Sequence, residues 1–351
     1  MNRTKKLTVL ILIVFMAFSL AACSNNTADN KEAVTADRSE FLMDTVVDMK
    51  VHGVKAEEAI EASYKRMEEI EKKMSKTIEE SDVYKINKNG TEQWVEVDKS
   101  TFKVIKKAIE YAEITEGKFD PTISPIVELW GIGTEAAKIP AESEIREAKS
   151  LVNYKNLLFD SENNRVKFSK KGMAVDLGGI VKGYAADEVR KILNSYDIKS
   201  AFVNLGGNVL TVGRKKDGSL WKIGIQDPRK HRGSVLAAVE IEGKTVVTSG
   251  NYERYFEEDG KIYHHILNPE TGYPTRNNLL SVSIITDESF EADVLSTSAY
   301  IMGLDKGMKL VENREEIEAI FVTEDNDVYL SSGLENKVEI MNSDFKIVEG
   351  E

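Results

Sequence analysis

One cysteine is all the thiol chemistry this chain has: Cys23 stands alone among 351 residues. An internal disulfide is therefore excluded, and so is a thiolate metal centre. Histidine is scarce as well, with four, and none falls in an HExxH pattern. No ordering of Ser, His and Asp suggests a nucleophilic triad. The chain has neither a GxxxxGK[ST] loop nor a GxGxxG turn, which removes the P-loop and the dinucleotide fingerprint. No period of roughly 20–50 residues recurs, so a solenoid is not expected. Basic stripes are missing too. With a formal net charge of −12, nucleic acid is not an expected partner.

What is present starts with a targeting pattern. Arg3, Lys5 and Lys6 precede an apolar run from Leu7 to Ala22, which predicts a secretory signal. Its end, Leu20-Ala21-Ala22-Cys23, resembles the bacterial lipobox. That resemblance implies cleavage before Cys23 and lipidation of it. Ser24 to Asp37 is polar without a periodic apolar face, as a tether would be. The expected organisation is a signal peptide at 1–22, a lipidated Cys23 with a tether to 37, and one folded domain from 38 to 351. The expected location is the extracytoplasmic face of the cell membrane, held by lipid. Losing residues 1–22 removes three basic residues and no acid, so −12 becomes −15. A chain that acidic does not dock on anionic lipid by charge, which leaves the anchoring to the acyl chains.

Hydrophobic residues make up 41% of the chain, enough for a sizeable core. Phe41 to His52 alternates as a strand does. Residues 55–75 carry Ile60, Tyr64, Met67, Ile70 and Met74 on one helical face. Residues 79–91 read as a polar loop. A second helix is expected from Thr101 to Glu116, stopped by Gly117. A third is expected to open at Pro140 and run to about Leu151. Short strands dominate beyond residue 200. A last helix is expected from Ser289 to Leu304, capped by Asp287. Helices early and strands late point to an α+β fold with largely antiparallel sheet.

The stretch Ala174 to Asp187, AVDLGGIVKGYAAD, organises the rest. A short apolar run ends at Asp176, Gly178-Gly179 allow a tight turn, and a helix begins with Lys182 in its first turn. Free N–H groups and the helix dipole at such a start favour phosphate. The alternative is a plain strand-to-helix turn with a surface lysine. Lys118 to Gly133, KFDPTISPIVELWGIG, is apolar and turn-rich. It either lines a pocket for a flat ligand or plugs the core. Asp293, Ser296 and Thr297 share one helical face and offer only oxygen, which suits Mg²⁺ better than Zn²⁺. A half-buried polar helix face would look the same. His264 and His265 on one strand could move a proton or serve the fold.

Together these pieces resemble the ApbE family of FAD:protein FMN transferases. The matching blocks are MDTVV at Met43, MSKT at Met74, KFDPTISPIVELWGIG, VDLGGIVKGYAAD, NLGGNV, IGIQDP, TSGNYERYF, HHILNPETGYP and EADVLSTSAY. The resemblance implies an α+β, ApbE-like flavin transferase fold. It implies that Met43, Thr77, Lys118, Phe119, Asp120, Asp176, Lys182 and Leu267 bind FAD. It further implies that Asp293 and Thr297 ligate Mg²⁺, with Ser296 and the Gly179 carbonyl close by. His265 and the Thr248-Ser249-Gly250 turn would lie near the pyrophosphate. Two positions depart from the family pattern. Asp44 stands where the family usually has glycine, and Thr77 lacks the aromatic ring that often stacks on the flavin.

The implied reaction is Mg²⁺-dependent transfer of FMN from FAD to a Ser or Thr hydroxyl of an exported flavoprotein, with AMP as leaving group. Lys182 would offset charge in the transition state. His265 and Asp293 are both candidate bases. Other readings are an FAD-carrying lipoprotein, an FAD pyrophosphatase, or an electron carrier flavinylated on its own Ser296 or Thr297.

Overall fold

The computed structural model describes residues 32–231 and 233–348. Cys23, the signal peptide and most of the expected tether lie outside the described residues. The folded unit begins with strand β1, Val34–Leu42. The domain boundary expected at 38 thus falls inside a strand, and residues 34–37 belong to the fold. Val34 pairs with Gly53, and the register closes at Leu42 opposite Thr45.

The single strand expected over 41–52 is in fact the end of β1, a tight turn and β2 (Thr45–Gly53). Met43 and Asp44 form that turn with φ of 54° and 58°. Both central residues are left-handed, as a two-residue type I′ hairpin requires. Sequence reasoning missed the turn because neither residue is glycine or asparagine.

A nine-stranded sheet forms the centre, in the order β1-β2-β6-β7-β10-β13-β14-β15-β17. Its later strands include β6 (Ser200–Leu205), β7 (Asn208–Gly213), β10 (Thr245–Gly250), β13 (Leu279–Thr286) and β14 (Glu318–Thr323). Neighbours are antiparallel except for the short pair of β15 (Asp327–Leu330) and β17 (Lys346–Ile347). Alternation along the central strands separates two layers. Val247, Ile284 and Phe321 face a helical layer. Val246, Ile285 and Ile320 face a second, three-stranded sheet that contains β8 (Trp221–Gln226) and β9 (Val235–Ile241). The α+β expectation with mostly antiparallel sheet holds.

Helix α1 (Ala56–Met74) buries Ile60, Tyr64, Met67, Ile70 and Met74 as the pattern predicts. Glu57 and Glu58 open it and Lys72 and Lys73 close it, each charge set against the opposite end of the dipole. The polar loop expected at 79–91 contains helix α2 (Asp82–Asn89) instead. The Ser81 hydroxyl caps it by accepting from the Tyr84 amide at 2.9 Å, and Val83 and Ile86 are buried. Helix α3 spans Lys99–Ile114, capped by Asp98 rather than Ser100 or Thr101. Gly117 follows with φ of 78°. A short helix α4 (Ser124–Trp130) and helix α5 (Glu142–Lys149) come next. Pro140 lies before the cap of α5, outside the helix.

Two helices position the chemistry. Helix α6 is Val181–Ser195 and helix α7 is Ser289–Met302; α8 (Leu304–Glu312) continues after a break at Gly303. Asp287 does not cap α7. Its carboxylate pairs with Lys244 at 2.9 Å. The first turn of α7 is satisfied from α6, where Asp187 accepts from the Ser289 and Phe290 amides, both at 2.9 Å. Gly183 lets the two helices meet: a Cβ there would sit 2.3 Å from the Ser289 carbonyl oxygen.

Candidate active site

The site forms around the N-terminus of α6. The first amides of a helix have no partner within it. Here Gly183 N–H donates to Asp293 Oδ2 of α7 at 2.9 Å. Asp293 is buried at 5% exposure. Burial pushes its carboxyl above the usual range, against the opposing pull of Lys182, the Gly183 amide and Asn208. Asn208 is buried too, and its amide nitrogen makes no hydrogen bond within the ordinary distance and angle limits. The side-chain dipole therefore acts on Asp293 at longer range than a formed bond.

A cluster of hydroxyls lies one turn along α7. Ser249 Oγ at the end of β10 is 2.8 Å from Ser296 Oγ and 3.0 Å from Thr297 Oγ1. Among the described residues no group of three or more His, Cys, Asp and Glu side chains is placed to hold a metal. A metal held here would take one carboxylate, these hydroxyls and oxygens from its ligand. An all-oxygen donor set and a buried carboxylate without a partner cation within bonding distance fit a hard divalent ion.

The two adjacent histidines have different surroundings. His264 is buried, and both ring nitrogens are engaged: Nε2–H donates to the Thr275 carbonyl at 2.8 Å, and Nδ1 accepts from the Ile266 amide at 3.3 Å. It serves the fold. His265 Nδ1 lies 3.2 Å from the Arg254 carbonyl oxygen. A carbonyl only accepts, so Nδ1 carries the proton and Nε2 keeps a free lone pair. His265 is exposed. Desolvation by neighbouring protein lowers its pKa below the ordinary histidine value, with smaller pushes the same way from His264, Arg254 and Lys182, against the opposing pull of the Arg254 carbonyl. Lys182 thus faces both His265 and Asp293.

Asp176 stands on the other side of the α6 start. Its Oδ1 accepts from Gly178 N at 2.7 Å and its Oδ2 pairs with Lys76 at 2.7 Å. Lys76 lies inside the MSKT block, but sequence reasoning gave it no role. Neither Gly178 nor Gly179 has a positive φ. Their value is room: a Cβ at Gly179 would lie 3.3 Å from the Phe119 ring, and one at Gly178 would lie 2.9 Å from Asp176 Oδ1.

The remaining expected residues divide into those near ligand space and those turned inward. Asp120 is turned inward. Its carboxylate accepts from the Thr122 amide and hydroxyl and from the Tyr154 amide, at 2.8, 2.6 and 2.9 Å, so it orders its own loop. Lys118 pairs with Glu270 and ties that loop to the 268–272 turn. Met43 N–H donates to Glu71 at 2.9 Å. Leu267 is buried beside Trp130 and Ile126. Thr77 is exposed, with its hydroxyl 3.0 Å from Ser75. Trp130 is fully buried, donates from its ring N–H to Gly272 O at 2.8 Å and stacks on Tyr263. At Trp130 the loop is therefore a plug in the core. A recess of about 1030 Å³ between β1 and α1, lined by Arg38, Glu57, Glu61 and Lys65 among others, lies apart from all of these groups.

Comparison with known proteins places the chain among relatives of one kind. The model of the ApbE family matches residues 43–321. A curated relative, the FAD:protein FMN transferase of Klebsiella pneumoniae, is 37% identical over 270 residues, covering 77% of this chain and 84% of its own. The crystal structure of the ApbE protein from Thermotoga maritima superposes with a TM-score of 0.80 at 39% identity, over 87% of this chain and 99% of that one. The flavin transferase ApbE from Vibrio cholerae gives a TM-score of 0.78 at 28% identity, over 87% and 100%.

Proposed function

The chain belongs to the ApbE family and is an FAD:protein FMN transferase, and we propose that it attaches FMN to a Ser or Thr hydroxyl of an exported flavoprotein, releases AMP, requires Mg²⁺ and works from a lipid anchor at Cys23. The observation that carries the chemistry is the convergence of a free His265 Nε2, Lys182 and buried Asp293 at the start of α6.

His265 takes the proton of the acceptor hydroxyl, because a neutral imidazole with Nδ1 already bonded has only Nε2 to offer. Lys182 and the amides at the start of α6 stabilise negative charge on the phosphates. Asp293, Thr297 and Ser296, with the Gly179 carbonyl nearby, would hold Mg²⁺, which when bound neutralises pyrophosphate charge. Asp293 is a poorer base than His265, since its Oδ2 already accepts from Gly183. Asp176, Met43, Phe119 and Leu267 are assigned to FAD by the family resemblance. Lys118 and Asp120 act there through the backbone of a loop that their side chains fix.

The acceptor must reach phosphorus while the pyrophosphate is held, which favours an extended segment. The test uses the chain from Val34 onward with FAD, Mg²⁺ and a short peptide that carries a Ser or Thr acceptor. Mass gain of one FMN on the peptide, with AMP in solution, is the expected result. The rate should fall as acidic residues are added around the acceptor, given the charge of −14 from Val34 onward, and less so in high salt. AMP and free FMN without acceptor would mark a pyrophosphatase, and intact FAD throughout would mark a carrier. FMN on Ser296 or Thr297 of the chain itself would remove both from the metal site. For the anchor, Cys23→Ala should move the protein from the membrane to the soluble fraction.

A further inference from the structure

Arg254 stands where three loops of the site meet. Its Nη2–H donates to the Asp44 carbonyl at 3.3 Å. Its side chain runs beside Gly133, where a Cβ would lie 3.5 Å from Arg254 Cδ. Its carbonyl oxygen receives the His265 backbone amide at 3.0 Å and the His265 ring at 3.2 Å. The side chain is exposed, and its one hydrogen bond among the described residues is to the Asp44 carbonyl. No carboxylate among the described residues pairs with it. Of the five N–H donors of a guanidinium, about four are left for a ligand. Lys182 is the second cation that faces His265. Two unneutralised cations beside one free imidazole nitrogen form a receptor for an anion that undergoes proton-coupled chemistry.

We propose that Arg254 is a catalytic residue that grips the FMN phosphate of FAD during transfer, across from Lys182; this rests on the transferase reading above. In the step concerned, the acceptor oxygen forms a bond to the FMN phosphorus. The bond from that phosphorus to the bridging oxygen breaks, and its electron pair leaves with AMP. The hydroxyl proton passes to His265 Nε2. Arg254 donates to the non-bridging oxygens, stays charged throughout, and neither gains nor loses a proton. The Asp44 carbonyl fixes the direction in which the remaining donors point.

Arg254→Met and Arg254→Lys test this in the full chain, with FMN transfer to the acceptor peptide followed by mass across pH. Arg254→Met is expected to lower kcat about 10²- to 10³-fold, as loss of one oriented donor does, with a much smaller change in the KM for FAD. The titratable and charged groups that face His265 are the neutral His264 ring and the cations Arg254 and Lys182. Removing one cation should therefore move the acid limb of kcat/KM to higher pH, and Arg254→Lys should restore that limb and part of the rate. A kcat within a few-fold of the wild type sinks the proposal. So does an equal loss in both variants without movement of the acid limb, or a melting temperature far below the wild type in Arg254→Met, since each marks a structural strut. A wild-type chain that makes no FMN adduct at all refutes the transferase reading instead, together with everything that rests on it.

Discussion

Asp187 on α6 caps α7, and Asp293 on α7 caps α6. Each carboxylate satisfies amides that its partner helix cannot bond internally. The exchange fixes the two helices lengthwise, and with them the spacing between the start of α6 and the Asp293 carboxylate. Asp187→Ala should cost about 0.5–2 kcal/mol through the lost cap. It also leaves the half-buried Arg190 without the acid that faces it most strongly. Thermal melts should show the loss, and Asp187→Asn should recover part of it. An unchanged melting temperature in Asp187→Ala would mean that the cap carries no weight.

Asp293→Ala should abolish FMN transfer while the protein stays folded. In the wild type, Mg²⁺ should raise the melting temperature, because a ligand that binds only the native state stabilises it. The variant should lose that response. Melting curves with and without Mg²⁺ check the assignment apart from activity. Equal protection of both chains would place the ion elsewhere.

His265 and His264 predict separate pH effects. Both have pKa values below the ordinary range, with desolvation the largest cause, although only His264 is a buried residue. A base with a depressed folded pKa binds fewer protons native than unfolded. Its contribution to stability is present above the unfolded value near 6.5 and is lost as pH falls through the folded one. Transfer should therefore keep its rate well below pH 6.5 and fall only when His265 Nε2 is protonated. His265→Ala should cost about 10²- to 10⁴-fold in rate with little loss of stability. His264→Ala should do the reverse and lower the melting temperature, since it removes the bond to the Thr275 carbonyl. A variant pair with equal effects on rate and melting would break the distinction.

Asp44→Gly should stabilise the β1–β2 turn by up to about 1 kcal/mol, because the φ of 58° costs a residue with a Cβ more than it costs glycine. Chemical denaturation should show a higher midpoint at unchanged slope. The Asp44 carbonyl still receives Arg254 in that variant, so transfer should be unaffected.

Most of the candidate site was legible because it is local. Asp176, Gly178 and Lys182 lie within one short stretch, and Asp293, Ser296 and Thr297 share a face that helical spacing alone predicts. What escaped depends on distance or on missing turn residues. The cap of α7 comes from Asp187, about a hundred positions earlier, so a nearby acid, Asp287, looked like the cap. The Met43-Asp44 turn carries no glycine, so one strand was read where there are two. Helix α2 hid behind a polar surface, although Ser81 and the buried pair Val83 and Ile86 mark it. Lys76 and Arg254 belong to blocks that were recognised. Their partners, Asp176 and the Asp44 carbonyl, become neighbours only when the chain folds.

Gly183 carries no side chain and takes no part in any proton transfer, yet it is among the residues that the site can least exchange. A methyl group there would need the space of the Ser289 carbonyl, 2.3 Å away. The helices would have to separate to admit it, and the amide that holds Asp293 would move with them. Every proposed ligand would still be present, in a chain of normal composition at every chemical position, but at the wrong spacing. The site therefore depends on an empty volume as much as on its charges, and a mutational survey scored by side-chain chemistry alone would overlook the position.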